Sequence, residues 1–163
     1  MPATPLASSV RFFQPEVSKC YFVPTIASAS LVYTLAERDA GTDLSDEIAD
    51  ISGWNVTSGT IDTPDLGSRF TGQIGGRTSV DASSITFYGD KAGEDVRTVL
   101  PRGTTGYIVW ADGGDVTAQP SDVFPVEVTS VGKLRSVGDQ AFQLTVQFAV
   151  TREPAEDVAI PAA

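Results

Sequence analysis

Histidine is absent from this 163-residue chain. With it go the commonest general base, the commonest metal ligand and every Ser-His or Cys-His nucleophile arrangement. Cysteine is nearly absent: Cys20 alone excludes an internal disulfide framework and fits assembly in a reducing cytosol. Basic residues are scarce, 11 against 21 acidic, for a formal net charge of −10. The clustered Lys and Arg that hold a phosphate backbone by counterion release are therefore lacking, and the chain should repel nucleic acid. No apolar run approaches the roughly 20 residues needed to span a bilayer. The opening MPATPLASSVRFF lacks the charged, apolar and small-residue order of a signal peptide. The expectation is a soluble protein made in the cytoplasm, with no membrane partner.

What is present is alternation. In AFQLTVQFAVT, residues 141 to 151, Phe142, Leu144, Val146, Phe148 and Val150 fall on one face of an extended strand. Gln143, Thr145, Gln147, Ala149 and Thr151 fall on the other. The apolar face predicts a core. The opposite face is polar yet uncharged, which is unusual where exposed strands use Lys or Glu to discourage edge pairing.

Similar strand patterns occur in CYFVPTIAS, SRFTGQI, SSITFYGD, TGYIVWAD and DVFPVEVTSVGKL. KAGEDVRTVLPRG predicts a helix over 91–100, with Val96, Val99 and Leu100 on one side and Pro101 and Gly103 as its stop. Residues 1–16 read as an N-terminal arm and 152–163 as a proline-punctuated C-terminal arm. Between Leu35 and Leu66 stand eight acidic residues, Glu37, Asp39, Asp43, Asp46, Glu47, Asp50, Asp62 and Asp65, against Arg38 alone. Residues 36–66 read as a long acidic inter-strand loop, within which TDLSDEIADI places Leu44, Ile48 and Ile51 at helical spacing. The expected fold is mainly β. It is a single-domain β-sandwich or open barrel over 1–163 with one flanking α-helix, a long inter-strand loop and extended terminal arms.

Catalytic, cofactor-binding and metal residues are expected to be none. Asp112-Gly113-Gly114-Asp115 reads as a turn, since a calcium loop needs six or more ordered oxygens and a terminal bidentate Glu. The pairs Asp46 with Glu47, and Asp62 with Asp65, sit on the acidic segment rather than across a rigid cleft, as glycoside hydrolysis requires. GQIGG lacks the lysine and spacing of a phosphate loop. Ser8, Ser9, Ser83 and Ser84 have no base in sight. Cys20, Trp54 and Trp110 read as packed core or interface residues.

In order along the chain, YFVPTIAS (21–28), AGTDLSDEIADISGW (40–54), TPDLGSRFTGQIGG (63–76), SSITFYGD (83–90), RGTTGYIVW (102–110), DVFPVEVTSVG (122–132) and AFQLTVQFAVTREPAEDVAIP (141–161) form a series. Taken together the series resembles siphovirus major tail proteins, the tail tube subunits of long-tailed phages, especially those infecting actinobacteria. The resemblance implies a phage tail tube fold in a virion structural protein. Six subunits would close into a ring, and rings would stack around a tape-measure protein between tail-tip or baseplate proteins and a tail terminator, as a conduit for viral DNA. It also implies that a long loop docks on the next ring. Residues 36–66 stand where that loop should be, which makes Glu37, Asp39, Asp43, Asp46, Glu47 and Asp50 stacking candidates. Candidate basic partners are Arg69, Arg77, Arg97, Arg102, Lys133 and Arg135. Gln143, Thr145 and Gln147 would face the lumen or a neighbouring subunit. Two other classes compete: a virion decoration or adhesion module, and a carboxylate-dependent hydrolase. A tube subunit of a contractile or secretion machine would share the same physics.

Overall fold

Strand alternation decides what each β-strand buries, and strand pairing decides against what. A computed structural model describes residues 3–162. Its elements, in chain order, are β1 (Lys19–Val23), α1 (Leu35–Asp39), β2 (Thr42–Asp43), a 3₁₀ turn (Ser45–Glu47), β3 (Ile48–Ser52), β4 (Val56–Thr63), β5 (Gly72–Val80), β6 (Ser83–Tyr88), α2 (Val96–Val99), β7 (Thr105–Ala111), β8 (Pro120–Leu134), β9 (Gln143–Val150) and β10 (Ala155–Ala159). One antiparallel sheet runs in the order β2-β1-β7-β8-β9-β6-β3, with β10 also paired to β8, and β4 and β5 form a separate two-stranded hairpin. The fold is mainly β and its sheets do not close.

The 15-residue β8 holds the two halves together. Its first half pairs with β7, from Trp110↔Asp122 to Thr105↔Glu127, and on its other edge with β10. Its second half pairs with β9 as far as Leu134↔Gln143. A register shift between Val128 and Ser130 marks a bulge, which bends the strand so that the sheet folds over on itself. Cys20, Phe22, Ile108, Trp110, Phe124, Val126 and Val128 thereby meet Ile85, Phe87, Leu144, Val146 and Phe148 in one core. Burial of such a side chain contributes about 1.5–3 kcal/mol. A one-residue slip of β9 would expose all three of Leu144, Val146 and Phe148 and is thus forbidden.

The opposite face of β1, β7 and β8 carries a second core of Val23, Ile26, Leu31, Tyr33, Val109 and Val123, packed by Ala155 and Val158 of β10. The expected C-terminal arm is consequently no free arm over these residues. Ser121 Oγ donates to the Val158 carbonyl at 2.8 Å, the Asp157 amide donates to Asp122 Oδ1 at 2.9 Å, and Ile160 is buried. The N-terminal segment 3–13 is exposed and without regular structure. Residues 1, 2 and 163 of the two expected arms lie outside the described residues.

Two further expectations are corrected. The helix over 91–100 shrinks to the single turn of α2, giving two short helices rather than one flanking helix. The Asp90 carboxylate captures the amides of Ala92 and Glu94, and Gly93 is left-handed at φ +91°, so helix geometry begins only after Asp95 caps it. Segment 36–66 is not one loop but α1, β2, the 3₁₀ turn, β3 and β4. Helical spacing of Leu44, Ile48 and Ile51 gives way because Ile48–Ser52 pairs with β6, from Ile48↔Phe87 to Ser52↔Ser84. Leu44 alone of the three is buried.

Candidate assembly surfaces

The outer faces of β8, β9, β6 and β3 align in cross-strand rows: Leu134, Gln143 and Tyr88; Gly132, Thr145, Thr86 and Asp50; Ser130, Gln147, Ser84 and Ser52. These rows are mostly hydroxyls and amides, with Leu134 at one end; Asp50 at the β3 edge and Glu127, opposite Ala149 in the next row, are acids, and no cation stands in them. Thr86 and Thr145 share a hydroxyl hydrogen bond of 3.1 Å, and Ser130 Oγ donates to Gln147 Oε1 at 3.0 Å. Gln143 and Thr145 are half-buried and Gln147 is exposed, so the structure brings all three onto one open surface.

The six acidic candidates divide. Glu37 completes a capping box with Thr34 and accepts the Ala27 amide at 2.7 Å, which holds its carboxyl below the usual range. Asp39 pairs with Arg38 at 2.8 Å, and Asp43 accepts from the Ser45 amide and lies 3.8 Å from the Lys19 ammonium. These three organise their own neighbourhood. Arg38, the lone cation of the acidic stretch, also bonds Asp115 and lies over the Tyr21 ring, tying α1 to the 112–115 turn. Asp46, Glu47 and Asp50 are exposed and, among the described residues, have no ion-pair partner.

Of the basic candidates, Arg97 is already committed: it grips the Asp95 carboxylate at 2.7 Å and the Asp90 carbonyl at 3.2 Å. That guanidinium, with the amides of Arg97 and Asp90, holds the Asp95 carboxyl far below the usual range. Arg69, Arg77, Arg102, Lys133 and Arg135 are exposed and unpaired among the described residues. They lie at the tip and second strand of the β4–β5 hairpin, in the turn before β7, and at the far end of β8.

The hairpin is the element that sequence reasoning missed. Its strands pair from Val56↔Val80 to Thr63↔Gly72, and nearly every residue on it is exposed. Ile61 and Ile74 stand opposite one another in the pairing at 53% and 56% exposure, and the tip presents Leu66 and Phe70. A two-stranded ribbon without a third layer is marginal in water. The β-branched content of VTSGTIDT and the Pro64–Gly67 turn were the available signal, hidden because the acids of 37–50 made the whole stretch read as one loop.

A cleft of about 800 Å³ opens between β3 and the N-terminal end of β1. Its floor holds Trp54, whose ring lies edge-on to Trp110 and Phe124 with centroids 5.6 and 5.2 Å away. Gly53 and Trp54 are both left-handed, at φ +83° and +69°, and a Cβ on Gly53 would sit 2.3 Å from the Ala82 carbonyl oxygen. Gly53 adopts this region freely, but for Trp54 it costs about 1–3 kcal/mol and persists only where the surroundings enforce it. The Trp54 amide donates to Ser83 Oγ at 3.2 Å, which gives that serine a structural task. Burial pushes the Cys20 thiol well up, away from reactivity. Among the described residues no group of His, Cys, Asp and Glu is arranged to hold a metal ion, and no helix is long and apolar enough to cross a membrane.

A family model described as phage tail tube protein matches residues 7–163. No curated protein sequence matches the chain. Among solved structures, the chain is similar to one in the anti-feeding prophage tube-terminating cap, with 13% identity, a TM-score of 0.57 and coverage of 98% of this chain and 100% of that one. It is also similar to a chain in the sheath/tube terminator of the extracellular contractile injection system PVC, with 11% identity, TM-score 0.55 and coverage of 88% and 96%. A third likeness is to a chain of the anti-feeding prophage baseplate, with 11% identity, TM-score 0.54 and coverage of 94% and 95%. At such identities the likeness is one of fold.

Proposed function

Because this chain belongs to the phage tail tube protein family, we propose that it is the repeating subunit of a long-tailed, siphovirus-type phage tail. Six copies close into a ring, and rings stack around a tape-measure protein, bounded by tail-tip and terminator proteins, to form the channel through which viral DNA leaves the virion. The work is structural and calls for no catalytic group. The observation that carries this reading beyond family membership is the β4–β5 hairpin, an unsupported ribbon with Ile61, Leu66, Phe70 and Ile74 in solvent. Such a ribbon gains its missing third layer by lying against another subunit.

The outer face of β9 and its neighbours, mostly hydroxyls and amides with two acids and no cation in its rows, suits a channel wall. DNA slides past hydroxyls and amides, whereas a Lys or Arg would hold its phosphates. A charge of −10 per chain amounts to roughly −60 per ring of six, a field that keeps phosphates from settling on the wall. The exposed acids Asp46, Glu47 and Asp50 oppose stacking until a ring offers cations such as Arg69, Arg102 or Arg135, and so restrain premature polymerisation.

A second reading, the tube of a contractile injection machine, is favoured by the fold likeness to chains of the PVC and anti-feeding prophage particles. Negative-stain electron microscopy with sedimentation of the concentrated protein tests both. Rings or tubes with a central hole are expected. A chain that stays monomeric after tail-tip proteins and tape measure are added overturns the tube reading.

A further inference from the structure

Where β7 ends, the turn Asp112-Gly113-Gly114-Asp115 joins three parts of the molecule. Ser18 Oγ donates to the Asp112 carbonyl at 2.8 Å, and a Cβ on the left-handed Gly114 would stand 3.3 Å from the Val17 carbonyl oxygen, so the turn seats segment 14–18. Asp115 accepts from the Tyr21 hydroxyl at 3.2 Å and pairs with Arg38, which brings in β1 and α1. A change in backbone length at this turn would reach all of them.

Asp112 is placed to make such a change. It is the one aspartate of the chain that a glycine follows, and the lone asparagine, Asn55, precedes a valine. Among the described residues the Asp112 carboxylate accepts no hydrogen bond and joins no ion pair, and the adjoining Gly113 N–H meets no acceptor. Both reacting groups are therefore free. Partial loss of solvent and then the Asp122 carboxylate raise the Asp112 carboxyl above the usual range. Glu16, Asp46 and Glu156 line the same cleft with like charge, and Lys19, the cation among them, is engaged by Asp43. A raised carboxyl is neutral more of the time, and the neutral form is the one that a nitrogen nucleophile attacks. Gly113 adds no side chain to shield it.

We propose that Asp112 and Gly113 form a self-modifying site, at which the folded chain converts Asp112 to isoaspartate through a cyclic succinimide. The Gly113 amide nitrogen bonds to Asp112 Cγ, the bond from Cγ to its hydroxyl oxygen breaks, and that oxygen leaves as water with the amide proton. Water then adds to one of the two ring carbonyls and cleaves its bond to nitrogen. Opening at Cγ restores aspartate. Opening at the former main-chain carbonyl yields isoaspartate, in which the chain runs on through Cγ and the backbone is one carbon longer. Solvent water is the single co-reactant, and nothing is oxidised or reduced. The carbonyl that Ser18 bonds becomes a carboxylate outside the main chain, and Asp115 is displaced from Arg38 and Tyr21. Segment 14–18 thus loses its seat in aged copies, whether or not they assemble.

The test is to age the full-length protein in warm neutral buffer, with and without urea, and to follow isoaspartate by enzymatic methyl transfer to its free carboxylate. Peptide mapping then locates it. Isoaspartate should accumulate at Asp112 in the folded protein, several-fold above Asp39 and Asp81, each of which precedes an alanine. Gly113→Ala should cut that accumulation several-fold at an unchanged melting temperature. Gly113 is not left-handed, and a Cβ there would meet Gln119 Oε1 at an ordinary 3.6 Å, so the variant should fold. Cleavage after Glu16 by a glutamate-specific protease should be faster in the isomerised fraction. Accumulation confined to urea, or no greater at Asp112 than at Asp39 and Asp81, overturns the proposal, as does an undiminished rate in Gly113→Ala. Equal cleavage of aged and fresh protein overturns the loosening of segment 14–18.

Discussion

Thr86 and Thr145 face each other across β6 and β9 with their hydroxyls 3.1 Å apart, at the centre of a surface that spans four strands. One hydroxyl donates to the other, and the rows around them offer passing phosphates no cation. Replacing Gln147, exposed beside this pair, by Lys should leave folding within about 0.5 kcal/mol of wild type. Gln143→Lys on the same strand should add to its effect. Assembled tubes carrying both should retain duplex DNA in a filter-binding assay at low salt and release it as salt rises. Tubes that ignore DNA at every ionic strength would show that the face does not line the channel.

Hairpin apolar residues and the acids Asp46, Glu47 and Asp50 make separate predictions about assembly. Leu66→Ser with Phe70→Ser removes surface that is already in solvent, so the melting temperature should stay within a degree or two while sedimentation shows tube growth lost. Charge reversal at Asp46, Glu47 and Asp50 should likewise spare folding, but its effect on growth should depend on salt. A folding defect as large as the assembly defect, in either set, would move these residues from interface to structure.

Gly53 has no tolerable substitute. Gly53→Ala combines a left-handed φ with a Cβ 2.3 Å from the Ala82 carbonyl oxygen, and urea denaturation should show a loss of about 2 kcal/mol or more. Trp54→Ala, which empties the contacts with Trp110, Phe124 and Phe148, should cost about 3 kcal/mol. It should also quench little of the remaining Trp110 emission if that ring stays shielded.

Asp95 supplies the pH dependence. Its carboxyl is held down first by the Arg97 guanidinium and then by backbone amides, so its folded value lies below the unfolded value of about 3.9. A depressed carboxyl contributes stability that is fully present above the unfolded pKa and is lost as pH falls towards the folded one. The stability difference between wild type and Asp95→Asn should be constant from pH 7 to about 5 and shrink steadily below pH 4. A difference that is flat to pH 2 would mean the ion pair contributes nothing.

The sequence by itself settled what depends on short-range periodicity and on composition. The alternation of β9, its buried Leu144, Val146 and Phe148, and its uncharged outer row were all readable, because in a strand each residue's side follows from its neighbours. The missing histidine likewise removed histidine-based catalysis before any fold was known. Tertiary structure decided what depends on a distant partner. Ile48–Ser52 became a strand because β6 was there to pair with it, and Val158 and Ile160 became core because β8 left an edge and an apolar face to cover. Glu37, Asp39 and Asp43 were drawn into caps and ion pairs by contacts that no acidic count reveals. The cleft beside Trp54 is of the same kind: it exists only where a folded sheet stops short of closing, and such a place has no local signature in the chain.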